Sequence, residues 1–156
     1  MTQDACSLAR PHRIVHRVRV GFGDTDRAGV VHHARYLHYV EQARVELLRT
    51  AGLDYRRFED EEGFALPVVD VHVRYRQAAF FDDVLDVETW VGELTRAKLR
   101  FDSRITRDGL HLTDARITLV CISRATNRLV SMPRSIFAAV GPVASSVGSG
   151  ADTHGA

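Results

Sequence analysis

The sequence predicts an α+β fold in which one long helix covers one face of an antiparallel sheet. A single extended helical pattern runs from about Ala34 to Ala51, a strand pattern precedes it at Ile14–Val20, and four or five strand patterns follow it. Consecutive strands with short connections favour antiparallel pairing. Because one apolar face of such a sheet needs a cover, the long helix is expected to supply it.

The helix is predicted by apolar residues that recur every three or four positions, which is the spacing of one helical face. These residues are Leu37, Val40, Ala43, Leu47 and Ala51, with Leu48 beside them. Gly52 follows directly and is typical of a helix end. The charged residues outside the stripe are expected on the surface or at an interface: Glu41, Arg44, Glu46 and Arg49.

The strands are predicted by the alternation of apolar and polar residues. The predicted segments are Ile14–Val20, Pro67–Gln77, residues 85–91, Leu99–Ile105, Leu110–Ile122 and a last strand around Ser131–Val140. In the second segment one face carries Val69, Val71, Val73 and Tyr75. The opposite strand faces carry many charges, so they are expected in solvent or at subunit interfaces.

Composition indicates one globular domain without a nucleic-acid partner. The chain has 156 residues, of which 45% are apolar and 26% charged, and its net charge is +1. Cys6 and Cys121 form no CxxC pattern, which fits a reducing cytoplasm, and no apolar run predicts a signal peptide or membrane span. The domain is predicted over residues 12–140, with flexible tails at 1–11 and 141–156.

The stretch from Gly23 to Tyr36 contains the candidate catalytic residues. Its sequence, GDTDRAGVVHHARY, places Asp24 and Asp26 just before two histidines and the start of the long helix. Helix N-termini present unpaired N–H groups that favour developing negative charge. A carboxylate beside such donors suits attack on an ester or thioester carbonyl. From these residues alone, both acids could instead only cap a turn or the helix.

Further short motifs follow in order from roughly Val15 to Phe137. They are Asp24-Thr25-Asp26, Gly29-Val30-Val31, His33, Tyr36, Ala43-Arg44, Val73-Arg74-Tyr75, Asp82-Asp83, Arg96-Ala97, Ile105, Thr126-Asn127-Arg128 and Pro133. This ordered set resembles the 4-hydroxybenzoyl-CoA thioesterase family, in particular its branch of small acyl-CoA thioesterases. The resemblance implies the hot-dog fold, a long helix wrapped by an antiparallel sheet. It also implies dimers joined sheet to sheet, often paired into tetramers, with active sites at subunit interfaces.

The resemblance also implies roles for individual residues. Asp26 is the expected catalytic acid, the His33 backbone N–H the expected oxyanion donor, and Asp24 is expected to stabilise the loop. The implied substrate-binding residues are Gly29, Val31, His32 and Tyr36 around the acyl group, and Arg96, Lys98, Arg128 and Arg134 around the coenzyme A phosphates. His32 stands where the family commonly has an aromatic residue, and Lys98 where it commonly has a small hydroxyl residue.

The expected reaction is hydrolysis of an acyl-CoA or acyl-carrier-protein thioester to a free acid and a thiol. Asp26 would act as a general base on water or attack directly to give a mixed anhydride, and the sequence does not separate these routes. No cofactor is expected, because coenzyme A enters as part of the substrate. A metal site is not expected either, since the two acids lie seven and nine residues before His33 and no other ligand clusters there.

Two alternatives belong to other functional classes. One is a hot-dog hydratase or dehydratase, which would use Asp26 and His32 as a proton-transfer pair. The other is a non-catalytic module that binds acyl-CoA without turning it over.

Overall fold

The structure is a computed structural model that describes residues 12–142. Its strands are β1 (Arg13–Arg19), β2 (Phe64–Ala65), β3 (Val68–Tyr75), β4 (Val84–Leu94), β5 (Leu99–Arg107), β6 (Leu110–Leu119), β7 (Cys121–Ser123) and β8 (Arg128–Val130). Its helices are α1 (Arg35–Thr50), α2 (Tyr55–Asp60) and α3 (Arg134–Val140), with a short 3-10 turn at Phe22–Asp24. The predicted tail residues 1–11 and 143–156 lie outside the described part of the chain.

Five strands form one antiparallel sheet in the order β1-β4-β5-β6-β3, and β2, β7 and β8 form a second, small sheet. The inward positions of the central strands are fully buried, for example Leu85, Phe101 and Ile117. The predicted α+β class and the predicted antiparallel sheet are therefore confirmed.

Helix α1 lies against the β1 and β4 side of this sheet. Its buried residues include Tyr36, Val40, Ala43 and Leu47, which recur at helical spacing as predicted. Gly52 adopts a φ of +95°, a conformation that glycine accepts at little cost, and the chain turns there towards α2. The predicted helix of about Ala34 to Ala51 is thus confirmed to within one residue at each end.

The prediction of a last strand around Ser131–Val140 is wrong, because residues 134–140 form α3. Pro133 precedes the helix, and Ile136, Ala139 and Val140 are buried at a spacing of three and four residues, which suits a helix. The predicted strand Leu110–Ile122 is also divided. Its last residues leave the main sheet and pair as β7 with β2 and β8.

Arg44 corrects a second expectation, since it is only 7% exposed rather than on the surface. Burial lowers the pKa of its guanidinium, with Tyr55 and Glu41 acting in the opposite direction. Its long aliphatic stem allows an arginine to occupy the edge of an apolar helix face.

Strand β3 forms one edge of the main sheet and is largely exposed. Val69, Val71 and Tyr75, which were predicted to share a face, remain exposed because α1 packs against β1 and β4 and leaves β3, at the opposite edge of the sheet, largely uncovered. An exposed apolar edge strand is unusual in a monomer, because its free backbone groups can pair with another chain.

In the described part of the chain, none of the helices is both long and apolar enough to span a bilayer.

Candidate active site

The loop between β1 and α1 folds back on itself around Asp26. Thr25 bridges to Val31, the Asp26 N–H donates to the Val30 carbonyl at 2.9 Å, and the Gly29 N–H donates to the Asp26 carbonyl at 3.0 Å. Gly29 has a φ of +81°, which this tight turn requires. The Asp26 side chain accepts the Ala28 N–H at 2.8 Å, so the turn also fixes the carboxylate.

The helix start presents a free backbone donor close to this turn. The neighbouring N–H groups are used: His32 donates to the Asp24 carbonyl at 2.9 Å, and Ala34 donates to His32 Nδ1 at 3.2 Å. Within residues 12–142, no acceptor is bonded to the His33 N–H. An unused N–H at the start of a 16-residue helix favours negative charge in front of it.

Asp26 and His33 line the same open pocket, which has a volume of about 320 Å³. The other lining residues are Val30, Val31, Tyr36, Tyr75, Arg76, Gln77 and Ala78. The pocket lies where the motif loop meets the end of β3, and the Val31 N–H donates to the Ala79 carbonyl at 2.8 Å across that junction. The structure therefore brings together Asp26, Val31, His33 and Tyr36 from the predicted site residues.

Asp24 has a different environment from Asp26. Its side chain is 13% exposed, and it accepts hydrogen bonds from Arg35 at 2.6 Å, Tyr39 at 2.7 Å and the Gly21 N–H at 2.9 Å. Burial raises the pKa of the Asp24 carboxyl, but the bonds from Tyr39, Gly21 and Arg35 outweigh this, so its pKa lies below the ordinary value. Asp24 therefore joins the loop to α1.

His32 lies beside the pocket rather than in it. Its ring stacks on His33 with centroids 4.2 Å apart and is exposed. Because His32 Nδ1 accepts the Ala34 N–H, the proton of the neutral ring is placed on Nε2. Gly29, with its positive φ, allows the tight turn around Asp26.

The four predicted phosphate-binding residues lie at the other end of the sheet from Asp26. Arg96 and Lys98 are in the β4–β5 turn, and the Met132 N–H donates to the Arg96 carbonyl at 2.8 Å, which places the β8–α3 segment beside that turn. Arg128 begins β8 and Arg134 begins α3. Since β4 has 11 residues, its two ends are roughly 30 Å apart. Within one chain these cations do not meet Asp26.

Tyr75 and Gln77 line the pocket but are not among the site residues predicted from the sequence. The Tyr75 hydroxyl donates to the His33 carbonyl at 2.6 Å. The predicted strand Pro67–Gln77 ends at this point, and a polar tip at the end of an apolar strand face is the signal that could have identified Tyr75. Among residues 12–142, no group of three His, Cys, Asp or Glu side chains is arranged to hold a metal ion.

The fold and this site define a hot-dog protein with an acid and a helix start in one pocket. The model of the thioesterase-like superfamily matches residues 20–140, and the chain belongs to this family. The predicted resemblance to the 4-hydroxybenzoyl-CoA thioesterase family is thereby confirmed.

The chain is similar to the acyl-CoA thioesterase YbgC of Haemophilus influenzae. The two are 39% identical over 122 residues, which cover 78% of this chain and 90% of that protein. Among solved structures, a hypothetical protein from Thermus thermophilus has 36% identity and a TM-score of 0.76, covering 81% of this chain and 95% of the other. A 4-hydroxybenzoyl-CoA thioesterase mutant complexed with 4-hydroxybenzoyl-CoA has 24% identity, a TM-score of 0.75 and coverage of 82% and 99%, which shows the shared fold.

Proposed function

We propose that this chain hydrolyses acyl-CoA thioesters in the pocket between Asp26 and His33. One observation carries the proposal: Asp26, whose carboxylate is held by its own turn, lines one pocket with His33, whose N–H at the helix start has no acceptor within residues 12–142. Membership of the thioesterase-like superfamily and 39% identity to an acyl-CoA thioesterase support the same reaction.

The thioester carbonyl oxygen accepts the His33 N–H, where the positive end of α1 favours the charge that develops during attack. Asp26 removes a proton from water as the water attacks the carbonyl carbon. The tetrahedral intermediate collapses, the carbon–sulfur bond breaks, and the proton held by Asp26 passes to the thiolate of coenzyme A, which restores the Asp26 carboxylate. The products are a carboxylic acid and coenzyme A.

The same two groups also support a covalent route. Asp26 attacks the carbonyl carbon directly, coenzyme A leaves, and water hydrolyses the resulting mixed anhydride to regenerate the carboxylate. Both routes need an ionised Asp26 and the same oxyanion donor. We propose that neither route uses a metal or a redox cofactor.

The contacts of His32 weigh against a hydratase or dehydratase. A proton-transfer pair would need the His32 ring near the substrate, but that ring is exposed beside the pocket and its Nδ1 is engaged by Ala34. The acid and the oxyanion donor together suit hydrolysis better.

We also propose that the active species is at least a dimer, with two such dimers forming a tetramer. The exposed apolar residues of β3 and its free edge support antiparallel pairing of two β3 strands into one continuous sheet. In such a pair the end of one β3 lies beside the start of the other. The β4–β5 turn of the second chain then comes to the same side as Asp26 of the first.

This arrangement explains how distant cations reach the substrate. The partner subunit's Arg96, Lys98, Arg128 or Arg134 would contact the nucleotide phosphates, while the acyl group lies near Asp26 and Tyr36. Arg96, Arg128 and Arg134 make no ion pair within residues 12–142, and Lys98 lies 3.2 Å from Glu93. Guanidinium groups suit phosphate because they offer two parallel donors.

We place the enzyme in the cytoplasm, where free coenzyme A thioesters occur and where a free Cys121 stays reduced.

The decisive experiment is a turnover screen across aromatic and aliphatic acyl-CoA esters that follows thiol release. We expect saturable hydrolysis of at least one class of ester. Saturable binding without thiol release would instead indicate a binding module, and addition of water to an enoyl thioester without thiol release would indicate a hydratase. Parallel assays with acyl-carrier-protein thioesters identify the natural carrier.

A further inference from the structure

Tyr75 contacts the main chain of the active-site motif through a bond that the reaction steps above do not use. Its hydroxyl donates to the His33 carbonyl at 2.6 Å and so joins residues that are 42 positions apart in the sequence. Tyr75 is the last residue of β3, so the sheet carries this hydroxyl, whereas His33 belongs to the helix start.

The His33 carbonyl is not used by the helix that follows it. The Arg35 N–H donates to the His32 carbonyl at 2.9 Å, and the Leu37 N–H donates to the Ala34 carbonyl at 3.2 Å. The carbonyl between these two is directed to Tyr75 instead. The carbonyl and the N–H of His33 lie in two adjacent planar peptide units that meet at its Cα. Fixing the carbonyl therefore restricts the backbone torsions at that Cα and, through them, the direction of the N–H.

A second tyrosine joins the start of α1 to the loop that follows β3. Tyr36 on α1 accepts the Ala79 N–H at 3.1 Å, and the rings of Tyr36 and Tyr75 meet edge to face with centroids 5.3 Å apart. Burial and the neighbouring Tyr36 raise the pKa of the Tyr75 hydroxyl. Tyr75 therefore keeps its proton at neutral pH, as a donor must.

We propose that Tyr75 is a positioning residue for hydrolysis, which holds the His33 N–H aimed into the pocket through its bond to the His33 carbonyl. This inference rests on the proposed oxyanion role of the His33 N–H. A donor to the oxyanion matters most when negative charge develops, so its loss lowers the rate more than it weakens substrate binding. Tyr75 lies on the strand edge, so it also connects the sheet to the reacting end of α1.

The test replaces Tyr75 with Phe, which removes the hydroxyl and keeps the ring. One hydrogen bond of this kind corresponds to a fall in kcat of about fivefold to tenfold, and we expect KM to stay within about twofold. Tyr55→Phe, which removes a hydroxyl beyond the far end of α1, is the matched control and should leave kcat unchanged. Wild-type kcat in Tyr75→Phe overturns the proposal, as does a loss that is accompanied by dissociation or by an equal rise in KM.

A fluorinated tyrosine at position 75 gives a readout that a purely structural role would not change. Fluorine makes the phenol more acidic, so the donor is lost at a lower pH. We expect kcat to fall on the alkaline side at a lower pH than in the wild type, with no such change when the same residue replaces Tyr55. An unchanged pH profile overturns the proposal.

The Asp26→Asn variant, assayed beside these, distinguishes failure of the proposed role of Tyr75 from failure of the proposed active site. If Asp26→Asn is inactive and Tyr75→Phe has normal kcat, only the role of Tyr75 is wrong. If Asp26→Asn keeps full turnover, the proposed site itself is wrong.

Discussion

The Tyr39 hydroxyl donates a hydrogen bond to Asp24 over 2.7 Å and ties the first acid of the motif to the long helix. Arg35 and the Gly21 N–H complete the environment of that carboxylate. Asp26, two residues later, lines the pocket, and its side chain accepts the Ala28 N–H of its own turn but no other hydrogen bond from residues 12–142. The two acids therefore have different environments, and we propose separate roles for them: Asp24 stabilises the loop, and Asp26 takes part in the reaction.

The bonds of Asp24 make a pH-dependent contribution to stability. Because the pKa of the folded Asp24 lies below its unfolded value of about 3.9, this contribution is present above that pH and is lost as the pH falls through the folded pKa. Asp24→Asn should therefore lower the free energy of unfolding by about 1–3 kcal/mol at neutral pH and by progressively less in acid. Urea unfolding of both proteins between neutral and acidic pH measures this difference.

A difference that stays constant with pH would contradict the assignment. Asp24→Asn should also cost less activity and more stability than Asp26→Asn. The opposite ranking would mean that Asp24 is the reacting acid.

The exposed edge of β3 predicts that charge placed there separates the subunits. Val71→Lys puts a cation on the inward face of this strand, where Val71 is 46% exposed in the single chain. We expect light scattering to show a shift towards monomer, together with loss of activity. Val15→Lys is the matched control, because Val15 is 59% exposed on the opposite edge strand, β1. A fully active monomer would contradict the proposal that the site needs two chains.

Phosphate recognition can be tested by single substitutions to Ala at Arg96, Lys98, Arg128 and Arg134. Charge-assisted bonds contribute about 1.5–3 kcal/mol each, so the relevant substitution should raise KM by roughly tenfold or more and change kcat little. A pantetheine thioester, which lacks the nucleotide, should abolish the difference from the wild type. If none of the four changes KM for the full coenzyme A ester, the placement is wrong and a carrier-protein substrate becomes the better candidate.

Mixed dimers show which chain supplies the cation. One subunit carries Asp26→Asn and the other carries the Ala substitution that raises KM. If the cation comes from the partner, the remaining active site has both Asp26 and an intact cation, and KM returns to the wild-type value. If the cation comes from the same chain, KM stays raised.

Local sequence patterns predict the long helix and the long strands of the fold. The short strands and the last helix could not be predicted, because they depend on tertiary contacts. The helix at Arg35–Thr50 and the four long strands after it have many residues in one period, so their pattern is clear. Strands β2, β7 and β8 have two or three residues each, which is too short for a period to be visible. The segment Ser131–Val140 has a short apolar run that is compatible with a strand or a helix. It forms a helix because its apolar residues pack on the rest of the domain at helical spacing.

The candidate site divides in the same way. Asp26 and His33 are seven residues apart around one turn, so their proximity follows from the local sequence. Tyr75 contacts His33 because the end of β3 packs against the start of α1. The local sequence around either residue does not predict this contact, since they are 42 positions apart. Arg96 and Arg128 are far from Asp26 within one chain, so the role proposed for them depends on the proposed dimer.

Substitution of Asp26 by Asn tests the central claim most directly, because it keeps the size of the side chain and removes its charge. With an acyl-CoA ester that the wild type hydrolyses, we expect kcat to fall at least ~100-fold, the scale expected for loss of a positioned base or nucleophile, while folding and substrate binding remain largely intact. Asp108→Asn, in the exposed β5–β6 turn where φ is +48° and Asn is well tolerated, should keep normal turnover. Near-normal kcat in Asp26→Asn would contradict the proposed mechanism.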